Sequence, residues 1–460
     1  MGSFKRLNPL DWVFLAGESR EAMMHVGSLM LFSPPPNAAL GLLRTLMDEV
    51  RQAATAFPPW NLRLKHPNCL AHPLQAWEED YIVDVDYHVR RSALPFPGDE
   101  RELGILVSRL HSHSIDFHRP PWEVHFIEGL EGGRFAIYFK VHHSLVDGYT
   151  GVRLLSTSMS SSAEELNTPM FFRRQPPEQA AKVDSAKAPA PETLVGLAQA
   201  QLSATRAIGR ALFNTFMPGR SQCKSLVAPM QAPKSVINQE ISRNRRFATQ
   251  QFPIEVLKRV TKAHGGTIND IVLTLCSGAL RKLLGEQGAL PDKPLTAMLP
   301  VSIRPKGDPG GGNAIGAILA SLATDIDDPI ERFRKIIAST CEAKAQLQGM
   351  SRSGIMQYSA LLMAPVLLSR IPGVVGLLRP AFNLVISNVP GPTKPLYFRG
   401  WRMEAYYPLS IPMPGYGLNV TVVGYRDKLD FGFIGCRDGL PHLQRLALYS
   451  RQTLEELEAA

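Results

Sequence analysis

The sequence predicts an α/β protein of two halves with mixed sheets, joined by a long, partly helical linker. Three observations carry that expectation. The chain has 460 residues, which at roughly 100–200 residues per domain gives two or three domains. Helical patterns alternate with strand-like runs on both sides of the middle, the signature of layered α/β architecture. Between about Ser160 and Pro233 the composition shifts toward proline and extended linker. A content of 45% hydrophobic and 20% charged residues is ordinary for a globular protein and excludes a disordered chain, a collagen-like fibre and a polytopic membrane protein.

The elements follow in chain order. Met1-Gly2-Ser3-Phe4-Lys5-Arg6 is not a secretory signal, because the apolar run after it, Trp12 to Ala16, is short and flanked by Asp11 and Glu18. Arg6 stands where a myristoylation signal needs Ser or Thr. Ala39 to Ala54 and Glu100 to His113 read as helices. The linker holds Gln175-Pro176-Pro177 and Lys187-Ala188-Pro189-Ala190-Pro191. Inside it, Leu194, Leu197, Ile208, Leu212 and Phe216 recur at near-helical spacing, with Arg206 and Arg210 one turn apart. The expected division is therefore an amino-terminal domain over 1–175, a basic linker over 176–233 and a carboxy-terminal domain over 234–460. In the last part Leu295 to Ile303, Ala381 to Val389, Leu418 to Tyr425 and Leu429 to Cys436 are strand candidates, the final two forming a hairpin around Arg426-Asp427-Lys428. Ser359 to Leu378 is apolar but broken by Pro365, Arg370 and Pro372, so it reads as a buried helix rather than a membrane span. A cleft between the two halves is the expected place for a site.

Charge and cysteine content narrow the function. The net charge is +9, distributed as −4 over residues 1–180, +8 over 181–260 and +5 over 261–460. The local basic region favours an anionic partner: a nucleotide-containing molecule, a membrane surface or nucleic acid. The last is disfavoured because no aromatics interleave at stacking spacing. Cys69, Cys223, Cys276, Cys341 and Cys436 are scattered with no C-x-x-C pair, which argues against a disulfide scaffold or cysteine zinc site and for a reducing compartment.

Chemistry is concentrated in residues 134–150. Phe135, Ile137, Phe139 and Val141 alternate with Ala136, Tyr138 and Lys140, the pattern of a half-buried strand. Extending the period puts His143 on the apolar face and His142 on the other. A desolvated His143 would be neutral and able to accept a proton. Asp147-Gly148 then marks a turn into a helix from Tyr149 to Met159. Adjacent strand side chains point to opposite faces, so the histidine pair is a poor metal site, and His111, His113 and His118 form no third-ligand pattern. No metal is expected.

His142-His143-Ser144-Leu145-Val146-Asp147-Gly148 resembles the signature of the coenzyme A-dependent acyltransferase superfamily. Met24-His25-Val26-Gly27, Pro121-Trp122-Glu123, Asn269-Asp270 and Ser387-Asn388-Val389-Pro390-Gly391-Pro392 resemble, in order, the motifs of bacterial wax ester synthase/diacylglycerol acyltransferases. The likeness runs from about Leu7 to Leu457. One departure is Pro120-Pro121-Trp122, where that family has Pro-Leu-Trp. The resemblance implies two chloramphenicol-acetyltransferase-like domains with an active-site channel between them. It also implies transfer of a fatty acyl group from acyl-coenzyme A to a fatty alcohol or diacylglycerol, giving wax ester or triacylglycerol.

Acyl transfer to an alcohol needs a base at the hydroxyl, and a positioned histidine contributes ~10²–10⁴ in rate. His143 is the candidate general base, with His142, Asp147, Gly148 and Asn269 as its companions. No G-x-S-x-G elbow is present, and Cys276 lies in an apolar helical stripe, so no covalent intermediate is required. The resemblance implies that Asp147 pairs with an arginine to hold the loop, Arg304 being the candidate; a triad-style orienter of His143 is the alternative. Gly148 would permit close backbone approach. Thr267 and Asp270 fit a capping box, while Asn269 in the first helical turn is a candidate for steadying the oxyanion or orienting the hydroxyl. The Asn388 to Pro392 turn is implied to shape the site.

Diacylglycerol is nearly insoluble, so the expected partners are acyl-coenzyme A, an alcohol or diacylglycerol acceptor, and the surface of a membrane or lipid inclusion, met peripherally from the cytoplasmic side. Arg206 and Arg210 are candidates for that surface. Arg243, Arg245 and Arg246 are candidates for the coenzyme A phosphates. Acyl-coenzyme A is a substrate, and no further cofactor is expected. The rival readings are a condensation-type or small-alcohol acyltransferase using carrier-bound acyl groups, and a non-catalytic lipid-surface protein.

Overall fold

The computed structural model describes residues 5–7, 9–36, 41–52, 55–174, 227, 229–302, 315–348, 350, 352–369, 373–377 and 379–460. The expected linker helix with Arg206 and Arg210, and Arg304, lie outside them.

The amino-terminal elements are β1 (Lys5–Arg6), α1 (Pro9–Ala16), β2 (His25–Ser33), α2 (Leu42–Gln52), β3 (Leu62–Leu64), β4 (Ala76–Glu79), α3 (Val85–His88), β5 (Val89–Ala93), α4 (Glu100–His111), β6 (Trp122–Glu128), β7 (Phe135–His142) and α5 (Gly148–Ser156). Next come β8 (Arg245–Pro253), α6 (Ile254–His264), α7 (Ile268–Glu286), β9 (Thr296–Ser302), β10 (Ile315–Ser321), α8 (Pro329–Gln348) and α9 (Arg352–Leu368). The chain closes with β11 (Leu384–Val389), β12 (Tyr397–Phe398), β13 (Trp401–Leu409), β14 (Leu418–Tyr425), β15 (Lys428–Cys436) and α10 (Arg445–Ala459).

Two mixed six-stranded sheets organise these elements. The first has the order β12-β13-β2-β7-β6-β5 and the second β10-β9-β11-β14-β15-β8. The expected hairpin is β14–β15, with Tyr425 opposite Lys428 and Arg426 at φ 55° in its two-residue loop, the left-handed backbone that tight hairpin turns require. The division expected from the sequence is crossed by one segment. β12 and β13, far beyond residue 234, complete the first sheet, with Leu409 opposite Gly27 and Met403 opposite Phe32.

The second sheet packs on α7, whose apolar stripe Ile271, Val272, Leu275, Cys276, Ala279, Leu280 and Leu283 is buried. The capping box at its start is present: Thr267 accepts from the Asp270 N–H, and the Asp270 carboxylate takes the Thr267 N–H. Asp270 also accepts the Thr340 hydroxyl at 2.6 Å, so its carboxylate is a structural tie. Among the described residues no helix is long and apolar enough to cross a membrane.

β7 corrects one expectation, for it is buried on both faces rather than one. Phe135, Ile137, Phe139 and Val141 join Phe32, Trp122 and Phe126 on one side. Ala136 and Tyr138 join Leu29, Leu31, Leu103, Val107 and Phe247 on the other. Polar tips on that second face are satisfied internally. The Tyr138 hydroxyl meets His111 Nδ1 at 2.8 Å, and Lys140 Nζ donates to the His113 carbonyl at 3.0 Å and lies 3.5 Å from Glu123.

Candidate active site

The site is built where β7 ends. His142 is the last strand residue, paired with His25 across the sheet. His143, Ser144 and Leu145 form a turn, closed by the Leu145 N–H donating to the His142 carbonyl at 3.0 Å. The alternation of the strand therefore does not extend to His143, and of the two histidines His142 is the more deeply buried. His142 Nδ1 lies 2.6 Å from the Ser144 hydroxyl, and its Nε2 faces the Glu18 carboxylate at 3.4 Å. Nδ1 is therefore committed to Ser144, while Nε2 is buried beside Glu18 without a hydrogen bond.

His143 is held differently. Its N–H donates to the Met24 carbonyl at 2.9 Å, and the Met24 N–H in turn donates to Glu18. The main chain of Met24, first residue of the Met24-His25-Val26-Gly27 stretch, thus ties the turn to the segment before β2. The imidazole stacks on Phe14 of α1, with centroids 4.1 Å apart and planes 22° from parallel. His143 Nδ1 is buried with no hydrogen-bond partner, which leaves Nε2 as the nitrogen able to meet a substrate. Desolvation pushes the imidazole down to about 4. The Asp147 charge opposes that shift, the His142 charge adds to it, and a contact with its own main chain opposes it. The ring is neutral at physiological pH, the state a general base requires.

Asp147 caps α5, its carboxylate accepting from the Thr150 N–H at 2.7 Å. It makes no hydrogen bond to the imidazole, whose Nδ1 has no partner, and its observed tie is to the start of α5. Among the described residues no arginine pairs with it. Replacing an N-cap by Ala costs ~1 kcal/mol, whereas Asn caps as well as Asp. Asp147→Ala should thus lower the melting temperature measurably and Asp147→Asn should not. Neither should raise the kinetic pKa of His143, since the carboxylate already holds it up. An acid limb displaced to higher pH in either variant would contradict this.

Gly148 is not required for close packing, because a Cβ there would meet no protein atom within 4 Å. The glycine leaves open space beside the histidine turn. Asn269 is half-buried as the second residue of α7, and no hydrogen bond joins it to His143. The Asn388 to Pro392 turn makes no hydrogen bond to His143 among the described residues. It follows β11 and adjoins the end of β14, where the Arg426 N–H donates to the Pro392 carbonyl and Tyr425 donates to the Met403 carbonyl at 3.0 Å. Met403 sits opposite Phe32, which sits opposite Phe135, at the far end of β7 from His142.

Arg245 is buried, its guanidinium donating to the Ser242 and Glu21 carbonyls. Desolvation pulls it down to about 10. It ties β8 to the segment before β2 and is not presented to a phosphate, which corrects its expected role. Arg243 and Arg246 are half-buried beside it. Cys276 is buried in α7 and its thiol is pushed up to about 12, so it is no nucleophile at physiological pH. His111 is spent on Tyr138 and His113 on the Arg109 carbonyl, while His118 faces Asp116 and Asn68.

Glu18 and Phe14 complete the site, and no motif pointed to them. Their only sequence signal is the short apolar helix flanked by acidic residues that precedes Met24.

Comparison with known proteins fits this geometry. The wax ester synthase/diacylglycerol acyltransferase catalytic domain model matches residues 7–272, and the C-terminal domain model of the same family matches residues 311–458. A Mycobacterium tuberculosis protein provisionally named a diacylglycerol O-acyltransferase is 50% identical, covering 99% of this chain and 97% of its own. The O-acyltransferase WSD of Acinetobacter baylyi is 40% identical over 98% of this chain and 96% of its own. A solved wax ester synthase/diacylglycerol acyltransferase from Marinobacter aquaeolei superimposes with a TM-score of 0.77 at 38% identity, covering 98% of both chains. The first condensation domain of the CDA synthetase, at 16% identity and a TM-score of 0.56 over 99% of this chain and 96% of its own, shares the fold.

Proposed function

The chain belongs to the wax ester synthase/diacylglycerol acyltransferase family and is an O-acyltransferase acting on a long-chain alcohol or diacylglycerol; from that premise we propose that acyl-coenzyme A is its donor and His143 its general base. The observation that carries the assignment is the turn after β7: an imidazole held neutral by burial, its Nδ1 enclosed. Protonated Nδ1 would leave Nε2 to accept the hydroxyl proton as the alcohol oxygen attacks the thioester carbonyl. The tetrahedral species collapses with loss of the C–S bond. Nε2 returns the proton to the thiolate, so one ester and one free thiol form. The open space at Gly148 admits substrate to the turn. Asn269, whose carboxamide has no hydrogen-bond partner among the described residues, is the proposed donor to the carbonyl oxygen. Asn269→Ala should lower kcat by about 10²–10³, and an unchanged kcat removes it from this role. Arg243 and Arg246 are the proposed phosphate contacts, to be read as a raised KM for the donor on charge reversal. The protein meets its acceptors at a membrane or lipid-inclusion surface.

The test is mass spectrometry of lipids formed from palmitoyl-coenzyme A with hexadecanol and diacylglycerol together. Wax ester or triacylglycerol with stoichiometric free coenzyme A is expected. Release of palmitate alone, or transfer only from an acyl-carrier protein, would overturn the proposal.

A further inference from the structure

Histidine bases are commonly aimed by a hydrogen bond to the second ring nitrogen. His143 has none. Its Nδ1 is buried without a partner, and the Asp147 carboxylate is spent on capping α5. The main chain is fixed by the bond to the Met24 carbonyl, but that bond leaves the ring free to turn about its own axis. Apart from a contact with its own main chain, packing sets the plane of the imidazole, and the ring lying flat on it is Phe14.

Phe14 is itself well anchored. Its neighbour Leu15 is buried with Leu62, Leu64 and Trp77. Phe14 also packs against the cluster of Ala22, Met24, Ile241, Ile411 and Cys436, drawn from both halves of the chain. The ring therefore stands as a wall between the imidazole and an apolar cluster at the junction of the halves.

We infer that Phe14 is a positioning residue for proton transfer, fixing the plane of the His143 ring and excluding water from it. The inference rests on His143 being the general base. It has two separable consequences. Loss of the ring frees the imidazole to rotate off line, and a small misplacement costs up to about 10²-fold in rate. Loss of apolar cover admits water, which can attack the thioester carbonyl in place of the alcohol, breaking the C–S bond to give fatty acid and free coenzyme A. Water also favours the imidazolium. Of the charges that bear on His143, Asp147 raises its affinity for a proton and His142 lowers it, with Glu18 facing the latter. All three stay in place when Phe14 is changed.

The test compares Phe14→Ala, Phe14→Leu and Phe14→Tyr, each checked for melting temperature, by transfer rate, fatty-acid release and the pH dependence of kcat. Phe14→Ala should lose about 10- to 100-fold in kcat, release fatty acid, and shift the acid limb from about 4 toward the ordinary 6.5. Phe14→Leu keeps apolar cover without a flat ring. It should lose kcat with little hydrolysis and a nearly parental acid limb, and it serves if the alanine variant does not fold. Phe14→Tyr should recover most of the rate. Parental kcat, pH dependence and ester-to-acid ratio in folded Phe14→Ala or Phe14→Leu would overturn the inference. Failure of the base assignment is separate: it appears as retained transfer in His143→Ala, whatever Phe14 does.

Discussion

His143→Ala should lower kcat by ~10²–10⁴ while leaving the fold intact, because the variant loses the proposed general base. The neighbouring substitution should behave differently. His142 bonds the Ser144 hydroxyl and faces the Glu18 carboxylate at 3.4 Å, and Glu18 accepts the Met24 N–H while the Met24 carbonyl accepts the His143 N–H. His142→Ala leaves the buried Ser144 hydroxyl without its partner, a cost of about 1–3 kcal/mol, so its principal effect should be on melting temperature, with a smaller kcat loss from a loosened turn. His142→Gln, which keeps a hydrogen-bonding side chain at this position, should recover part of that stability. Steady-state kinetics with thermal unfolding on the same preparations decides the matter. Equal kcat losses in well-folded His142→Ala and His143→Ala would mean that both rings take part in the chemistry.

Stability should fall steeply as the pH drops below neutrality. Burial is the largest cause holding down the proton affinity of five interior histidines. His88 and His143 lie at about 4, His25 and His111 well below their ordinary value, and His125 below it. In the unfolded chain these groups titrate near 6.5. Between there and about 4 the unfolded state binds more protons than the folded one, so stability rises with pH through that window and is lost on acidification. A shift from 6.5 to about 4 is worth on the order of 3 kcal/mol for each of His88 and His143. Asp430 works the other way: burial raises it to about 6, so between its ordinary value and 6 the folded state gains protons and is favoured by acid. One carboxylate does not offset five imidazoles. The urea midpoint should drop between pH 7 and pH 5, and His88→Gln should flatten part of the dependence. A midpoint unchanged across that range would refute the argument.

The sequence was most legible where structure is local. The stripe and capping box of α7 are dictated within twenty positions of chain, and the β14–β15 hairpin by alternation on either side of a polar turn. The fold failed to show where tertiary contact overrides pattern. Tyr138 and Lys140 look like a solvent face, yet they are buried because His111 and Glu123 meet their tips; a residue scored as polar is apolar along most of its length. Two-base periodicity could not reveal that β7 ends at His142, so the orientation expected for His143 came from a strand that stops one residue early. Phe14 and Glu18 reach the site only through folding of the chain ahead of Met24, and nothing in their local spacing marks them. Likewise Arg245 looks like any other member of a basic run until Glu21 is seen beside it.

The crossing of β13 into the first sheet bears on how the protein can be divided and how it is made. A fragment ending near residue 233 would carry the histidine turn but leave one side of β2 without its partner, a row of unpaired amides and carbonyls that invites association with any other strand. Such a fragment should be recovered soluble only when the remainder of the chain is supplied, β13 entering as a donated strand. During synthesis the same gap persists until Trp401–Leu409 has left the ribosome, so the portion translated first must wait for the portion translated nearly last. The 7–272 stretch recognised as catalytic is on this account a unit of inheritance rather than of folding, and dissecting the enzyme into independently stable halves calls for grafting β13 onto the amino-terminal piece.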